Sequence, residues 1–121
     1  MMINWDIYNK NCPTRQVLNR IADKWTVLVV GSLAQDTKRF SELKKEITGI
    51  SQKMLTQTLR GMERDGLLTR KVYPTVPPKV EYTLTELGMS LISMISDIRD
   101  WAEGNIETVS QAQQSYDQRQ Q

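Results

Sequence analysis

Histidine is absent from the 121 residues, cysteine occurs once and phenylalanine once. Without histidine the chain lacks the commonest general base. One cysteine excludes an intrachain disulfide, and leaves too few soft ligands for a zinc or other transition-metal site within one chain. No glycine-rich phosphate loop is present either, so no enzyme activity and no cofactor are expected. No apolar run reaches the roughly 18 residues that cross a bilayer. The opening MMINWDIYNKN has no basic stretch followed by an apolar one, so no secretory signal is expected and the chain reads as intracellular and cytoplasmic.

What the chain has is an uneven distribution of charge. The net charge is only +2. Residues 1–37 carry four basic and three acidic side chains, residues 38–82 ten and five, and residues 83–121 two and six. A basic middle followed by an acidic end fits a domain whose centre meets a polyanion and whose end does not.

The pattern of apolar residues is mostly helical. Pro13 suits the first turn of a helix carrying Val17, Leu18 and Ile21. Trp25–Gln35 is apolar nearly all round and is expected to be a buried helix. Lys38–Phe40 is long enough only for a short strand. Ser41 is expected to cap a short helix, SELKKEI, and Ser51 the next one, which ends at Gly66. The tight turn between them, with Gly49 free to take a positive φ, gives helix-turn-helix spacing. Alternation in LLTRKVYPTVPPKVEYTL predicts a hairpin, and its three prolines confine Tyr73–Pro78 to a stiff tip. A long helix then starts at Thr83 or Thr85, with Thr83 and Glu86 in capping-box spacing.

The helix from Ser51 has two faces. Leu55, Leu59 and Met62 point to a core. The opposite stripe, with Gln52, Lys53, Thr56, Gln57, Arg60 and Arg64, reads as free of acidic residues. Arginine and lysine donate to guanine, glutamine pairs with adenine, and a serine at a helix start suits phosphate. The order of helix, helix, short strand, helix, turn, helix, hairpin is that of a winged helix-turn-helix, with the second helix of the pair entering the major groove. Gln57 and Arg60 are the expected base readers. Ser41, Ser51, Gln52, Lys53 and Thr56, with Arg70, Lys71, Pro77 and Lys79 of the hairpin, complete the expected face for double-stranded DNA.

The last helix carries the apolar line Leu87, Leu91, Met94, Ile95, Ile98, Trp101 and Ala102. That is longer than a small core needs. Trp5, Ile7 and Tyr8 add apolar residues at the other end. A twofold partner would bury both, so Trp5, Ile7, Tyr8, Leu91, Met94, Ile95, Ile98, Trp101 and Ala102 are the expected homodimer interface. The fold class expected is mainly α with a small β-hairpin (α+β): a winged helix-turn-helix dimerising through its N- and C-terminal helices. Residues 1–11 form an arm, 12–109 the domain, and 110–121 a disordered polar tail. The alternative to a DNA-binding role is a winged-helix module that binds protein or carries structure.

CPTRQVLNRIADKWT, and GISQKMLTQTLR joined to YPTVPPKVEYTLTELG, resemble the HxlR-type family of bacterial transcriptional regulators. The resemblance covers roughly residues 12–102. It implies a dimeric repressor or activator on a palindromic operator, with DNA contacts from Ser51–Asp65 and the hairpin. The chain departs from it at Ile21-Ala22-Asp23, where the family often has glycine. The resemblance also implies a role for Cys12, because several family members sense quinones, aldehydes or oxidants through a cysteine at this position. Cys12 precedes Pro13 at a helix start, where the helix dipole favours a thiolate, with Lys10 and Arg15 close by. A small electrophile or oxidant is therefore the expected inducer. An inert small residue beside proline is the plainer reading of the same cysteine.

Overall fold

The computed structural model describes residues 6–120, so Trp5 lies outside the described residues. Six helices and three strands follow in order: α1 Pro13–Ile21, α2 Lys24–Leu33, β1 Lys38–Arg39, α3 Phe40–Glu46, α4 Gln52–Arg64, β2 Leu68–Tyr73, β3 Lys79–Leu84, α5 Glu86–Met89 and α6 Ile92–Arg119. The strands form one antiparallel sheet in the order β1-β3-β2. Leu68 faces Leu84 and Tyr73 faces Lys79 across the hairpin, while Lys38 faces Tyr82. The chain is a winged helix-turn-helix, mainly helical with a small sheet.

Local chemistry sets most of the boundaries. The Asp23 carboxylate accepts from the Trp25 and Thr26 N–H groups and starts α2. Ser51 accepts from Met54 N–H at 3.0 Å and starts α4. Gly49 (φ 87°) and Gly66 (φ 77°) take the left-handed conformation, one in the turn between α3 and α4 and the other closing α4. The core lies between α2, α3, α4 and one face of the sheet, where Val29, Leu43, Leu55 and Met62 are fully buried. Where α2, β1 and α3 meet, Lys38 and Ser32 both donate to the Glu46 carboxylate. These two hydrogen bonds, Lys38 first, hold its pKa below the usual carboxylate value.

The observed elements correct several expectations. Arg39, not Ser41, is the N-cap of α3: the Glu42 side chain reaches back to accept the Arg39 N–H at 2.9 Å, and Ser41 sits exposed in the first turn. Of the two starts open to the last helix, Thr85 is the one used and caps α5, so only the capping-box spacing of Thr83 with Glu86 fails: Thr83 is still strand, its hydroxyl paired with that of Thr37. The predicted single C-terminal helix is broken at Ser90–Leu91. There the Ser90 hydroxyl donates to the Leu87 carbonyl, and buried Leu91 redirects the chain along α2. α2 is not buried all round, since Leu28 is 47% exposed. Residues 110–119, expected as a disordered polar tail, continue α6. They contain no glycine or proline, and their Gln, Ala and Arg are good helix formers.

Three surfaces of α1, α2 and α6 remain apolar and open. α1 buries no residue, and Val17 and Leu18 are exposed. On α6, Met94, Ile98 and Trp101 are exposed, and no described residue after Ile95 is buried. Leu91 and Ile95, expected in a subunit interface, instead belong to the core of the single chain. Of the arm, Tyr8 is exposed and Ile7 half-buried. Ala102 lies with Ile98, Leu28 and Val27 along a cleft of about 660 Å³ between α2 and α6.

Candidate nucleic-acid interface

The α4 surface divides along its length. At 100° per residue, Gln52, Thr56, Arg60 and Glu63 turn to one side and Lys53, Gln57 and Arg64 to the other. The first group lines a nook of about 420 Å³ with Arg70, Tyr82, Val80 and Phe40, so α4 and the sheet share one surface. The second group is exposed and lines no part of the nook. Arg60, expected among the base readers, lies in the nook beside Arg70.

The expectation that this face has no acidic side chain fails at Glu63. It follows Thr56 by seven residues and Arg60 by three, and that spacing was enough to find it. Its carboxylate lies 3.7 Å from the Arg70 guanidinium. Tyr82 is the other residue that sequence reasoning missed, since alternation identified it only as core. Burial raises the pKa of its phenol above the ordinary value, opposed first by the nearby charge of Arg70.

Two cations crowd the base of the hairpin tip. Lys71 and Lys79 lie 4.8 and 5.0 Å from the centre of the Tyr73 ring. Lys79 also pairs with Glu81 at 2.9 Å, which offsets part of its charge. Pro77 is exposed in the loop beyond. Ser41 is exposed on α3 and does not line the nook. α4 itself is braced from behind: Arg20 of α1 pairs with Asp65 at 2.8 Å, and its guanidinium lies over Gly61, where a Cβ would overlap it.

Cys12 is the N-cap of α1 and is 4% exposed. Its carbonyl accepts from the N–H groups of Arg15 and Gln16. The Arg15 guanidinium donates to the Tyr8 carbonyl at 3.2 Å. Among the described residues, no group of three or more His, Cys, Asp or Glu is placed to hold a metal ion, and no helix is long and apolar enough to cross a membrane.

The model of the HxlR-like helix-turn-helix family matches residues 20–110. The chain belongs to that family. It is 42% identical over 104 residues to the HTH-type transcriptional regulator YtfH of Escherichia coli strain K12, covering 86% of this chain and 82% of that one. Identity to the HTH-type regulator YdeP of Bacillus subtilis is 45% over 94 residues, covering 78% and 73%. Among solved structures, the regulator YtfH of Salmonella typhimurium superposes with a TM-score of 0.85 at 39% identity, over 92% of this chain and 99% of that one. The redox regulator HypR in its reduced form gives 0.74 at 37% identity, over 82% and 98%. This HxlR-type chain is thus a transcriptional regulator of the winged helix-turn-helix type, not an enzyme.

Proposed function

We propose that the protein is a homodimeric repressor that binds a palindromic operator through α4 and the hairpin. The single observation carrying this reading is the outer stripe of α4. It sets Lys53, Gln57 and Arg64 in open solvent on a helix that Ser51 caps and the Arg20–Asp65 pair holds from behind. Gln57 and Lys53 read base edges; Ser51, Gln52, Thr56, Ser41, Lys71, Pro77 and Lys79 position the backbone. The homodimer is supported by the open apolar faces of α1 and α6, which include Met94, Ile98, Trp101 and Ala102. Two recognition helices would then lie about 34–36 Å apart, one turn of B-form DNA.

Footprinting on the DNA upstream of its own gene, followed by affinity measurements over a range of salt, tests the reading. Log K is expected to fall with log salt at about −0.9 per phosphate contacted. Gln57→Ala should relax base preference by about 1–3 kcal/mol at one position of each half-site. Lys79→Ala should weaken binding to all sequences alike. Its effect on the salt slope should be less than one full contact, because Glu81 already offsets part of the charge. A chain with no salt-dependent affinity for duplex DNA would return the reading to a protein-binding module.

We further propose that Cys12 makes this regulator responsive to an electrophile or oxidant. Cys12 stands at the N-cap of α1, and the two HypR structures, oxidised and reduced, are of a redox regulator with this fold. Burial of the thiol means that reaction waits on opening of the turns around residues 6–12, so modification and a shift of α1 occur together. Diamide or a quinone is expected to lower operator affinity in the native chain and to leave Cys12→Ser unchanged. Equal losses in both proteins would remove Cys12 as the sensor.

A further inference from the structure

We propose that the nook between α4 and the hairpin is an oxyanion site for phosphate, built on Arg60 and Arg70 and filled in the unliganded chain by its own carboxylate, Glu63. The inference rests on the reading of α4 and the hairpin as the DNA-facing surface, and assigns a partner to one part of it.

The residues of the nook are those that a tetrahedral anion requires. Two arginines, Arg60 and Arg70, line it, and a guanidinium offers planar, paired donors. Gln52 and Thr56 supply an amide and a hydroxyl from the first turns of α4. Tyr82, 8% exposed, lines the inner wall, and its hydroxyl makes no hydrogen bond to any described residue. Glu63 is the one acidic side chain among the residues lining the nook, and it sits awkwardly. At 3.7 Å its oxygen is beyond hydrogen-bond reach of the Arg70 Nε, so the pair is held by charge alone. Both side chains are more than two-fifths exposed, which screens that attraction further. Arg70 is therefore near an anion but not satisfied by one.

A phosphate entering the nook takes up the donors of Arg60, Arg70 and Tyr82 and must displace the Glu63 carboxylate, since two anions cannot share the site. Glu63 thus sets a threshold. It weakens binding of every phosphate, and a phosphate held on a well-docked site overcomes it more readily than one met in random encounter. Phosphate can come from the DNA backbone or from solution, and the two sources are separable.

The test measures binding of a random-sequence duplex to the native chain, Glu63→Gln, Arg70→Gln and the double variant, with added inorganic phosphate at constant ionic strength as a second arm. Glu63→Gln is expected to bind the duplex about tenfold tighter, with a salt slope steeper by about 0.9, one more phosphate neutralised. In the Arg70→Gln background the same change should gain little, because the two residues act as one unit. A gain that persists in full without Arg70 would be long-range charge and would overturn the site, as would identical affinity and slope for the native chain and Glu63→Gln. Failure of inorganic phosphate at about 10 mM to displace the duplex from Glu63→Gln assigns the site to the DNA backbone; displacement assigns it to free phosphate. If no variant binds duplex, the operator reading fails, and direct binding of inorganic phosphate by Glu63→Gln, absent in the double variant, decides the oxyanion site alone.

Discussion

Replacing Ile98 with aspartate should yield a folded monomer whose affinity for a palindromic operator is lower by at least about a hundredfold. The expectation rests on the difference between what the side chain does in one chain and in two. Ile98 is 54% exposed, so a carboxylate there stays solvated in the single subunit and costs the fold little. Pressed between two copies of α6, the same carboxylate loses its water and has no partner. Met94 and Trp101 lie on the same stripe, one turn to either side, and are 44% and 65% exposed. α6 is 28 residues long, roughly 42 Å, and no described residue of its second half is buried. An isolated stretch of that length with Ile106, Val109 and Tyr116 exposed gains little from its own chain. Separating the subunits removes the second half-site contact, and the effective concentration that linked it to the first is worth about 10²–10⁴ in affinity. Sedimentation velocity and operator titration on the same preparation check this. A dimer that persists in Ile98→Asp, with native affinity, places the subunit interface elsewhere.

The dimerising stripe also shows what could be read from sequence and what could not. Periodicity placed Leu91, Met94, Ile95 and Ile98 on one apolar line, and all four are apolar for packing reasons. Period alone could not divide them between two destinations. Leu91 and Ile95 fill the core, while Met94 and Ile98 face outward. Which edge of the line meets α2 is decided by the fold of the whole chain, and the break before α6 is marked locally only by the Ser90 hydroxyl on the Leu87 carbonyl. Most of the helix-turn-helix was legible because its determinants are local: Ser51 caps within three residues, and Gly49 and Gly66 fix two turns by their own φ angles. Between the two starts the sequence allows, a tertiary strand decides: Thr83, in capping-box spacing with Glu86, joins β3 and leaves Thr85 to cap. On the candidate site, helical spacing correctly separated the core face of α4 from the outer one. It could not show that Arg60 and Arg70, ten residues apart, line one nook, since only the fold of the hairpin over α4 makes them neighbours. Glu63 is legible by spacing alone, seven residues after Thr56 and three after Arg60, whereas its pairing with Arg70 again needs the fold.

Gly88→Ala should be the most damaging of the glycine-to-alanine changes, lowering stability by about 3 kcal/mol, because its Cβ alone among them meets backbone. A Cβ at residue 88 would overlap the backbone carbonyl oxygen of Leu67, with the Leu84 side chain also in close contact. That carbonyl cannot retreat, because it accepts the Thr85 N–H at 3.1 Å. The surrounding bonds fix the same junction: the Thr85 hydroxyl donates to the Gly66 carbonyl at 2.6 Å and accepts from the Gly88 N–H at 3.1 Å. Gly66 is itself held at positive φ, so the closure of α4, the start of β2 and the start of α5 form one rigid knot. Adding the methyl group forces apart either the knot or the packing of Leu84 beneath it. Thermal denaturation should record a fall in Tm on the order of 10 °C for a domain of this size. Gly104→Ala is the matched control. It lies within α6, off the Met94–Ile98–Trp101 stripe, with nothing within 4 Å of the added carbon. There the same methyl group should stabilise the helix by about 0.5–1 kcal/mol. Opposite signs from one chemical change would locate the effect in the Leu67 contact and not in helix propensity. A Gly88→Ala protein that melts with the native chain would show that the knot can open, and that α5 is free to move against the DNA-binding helices.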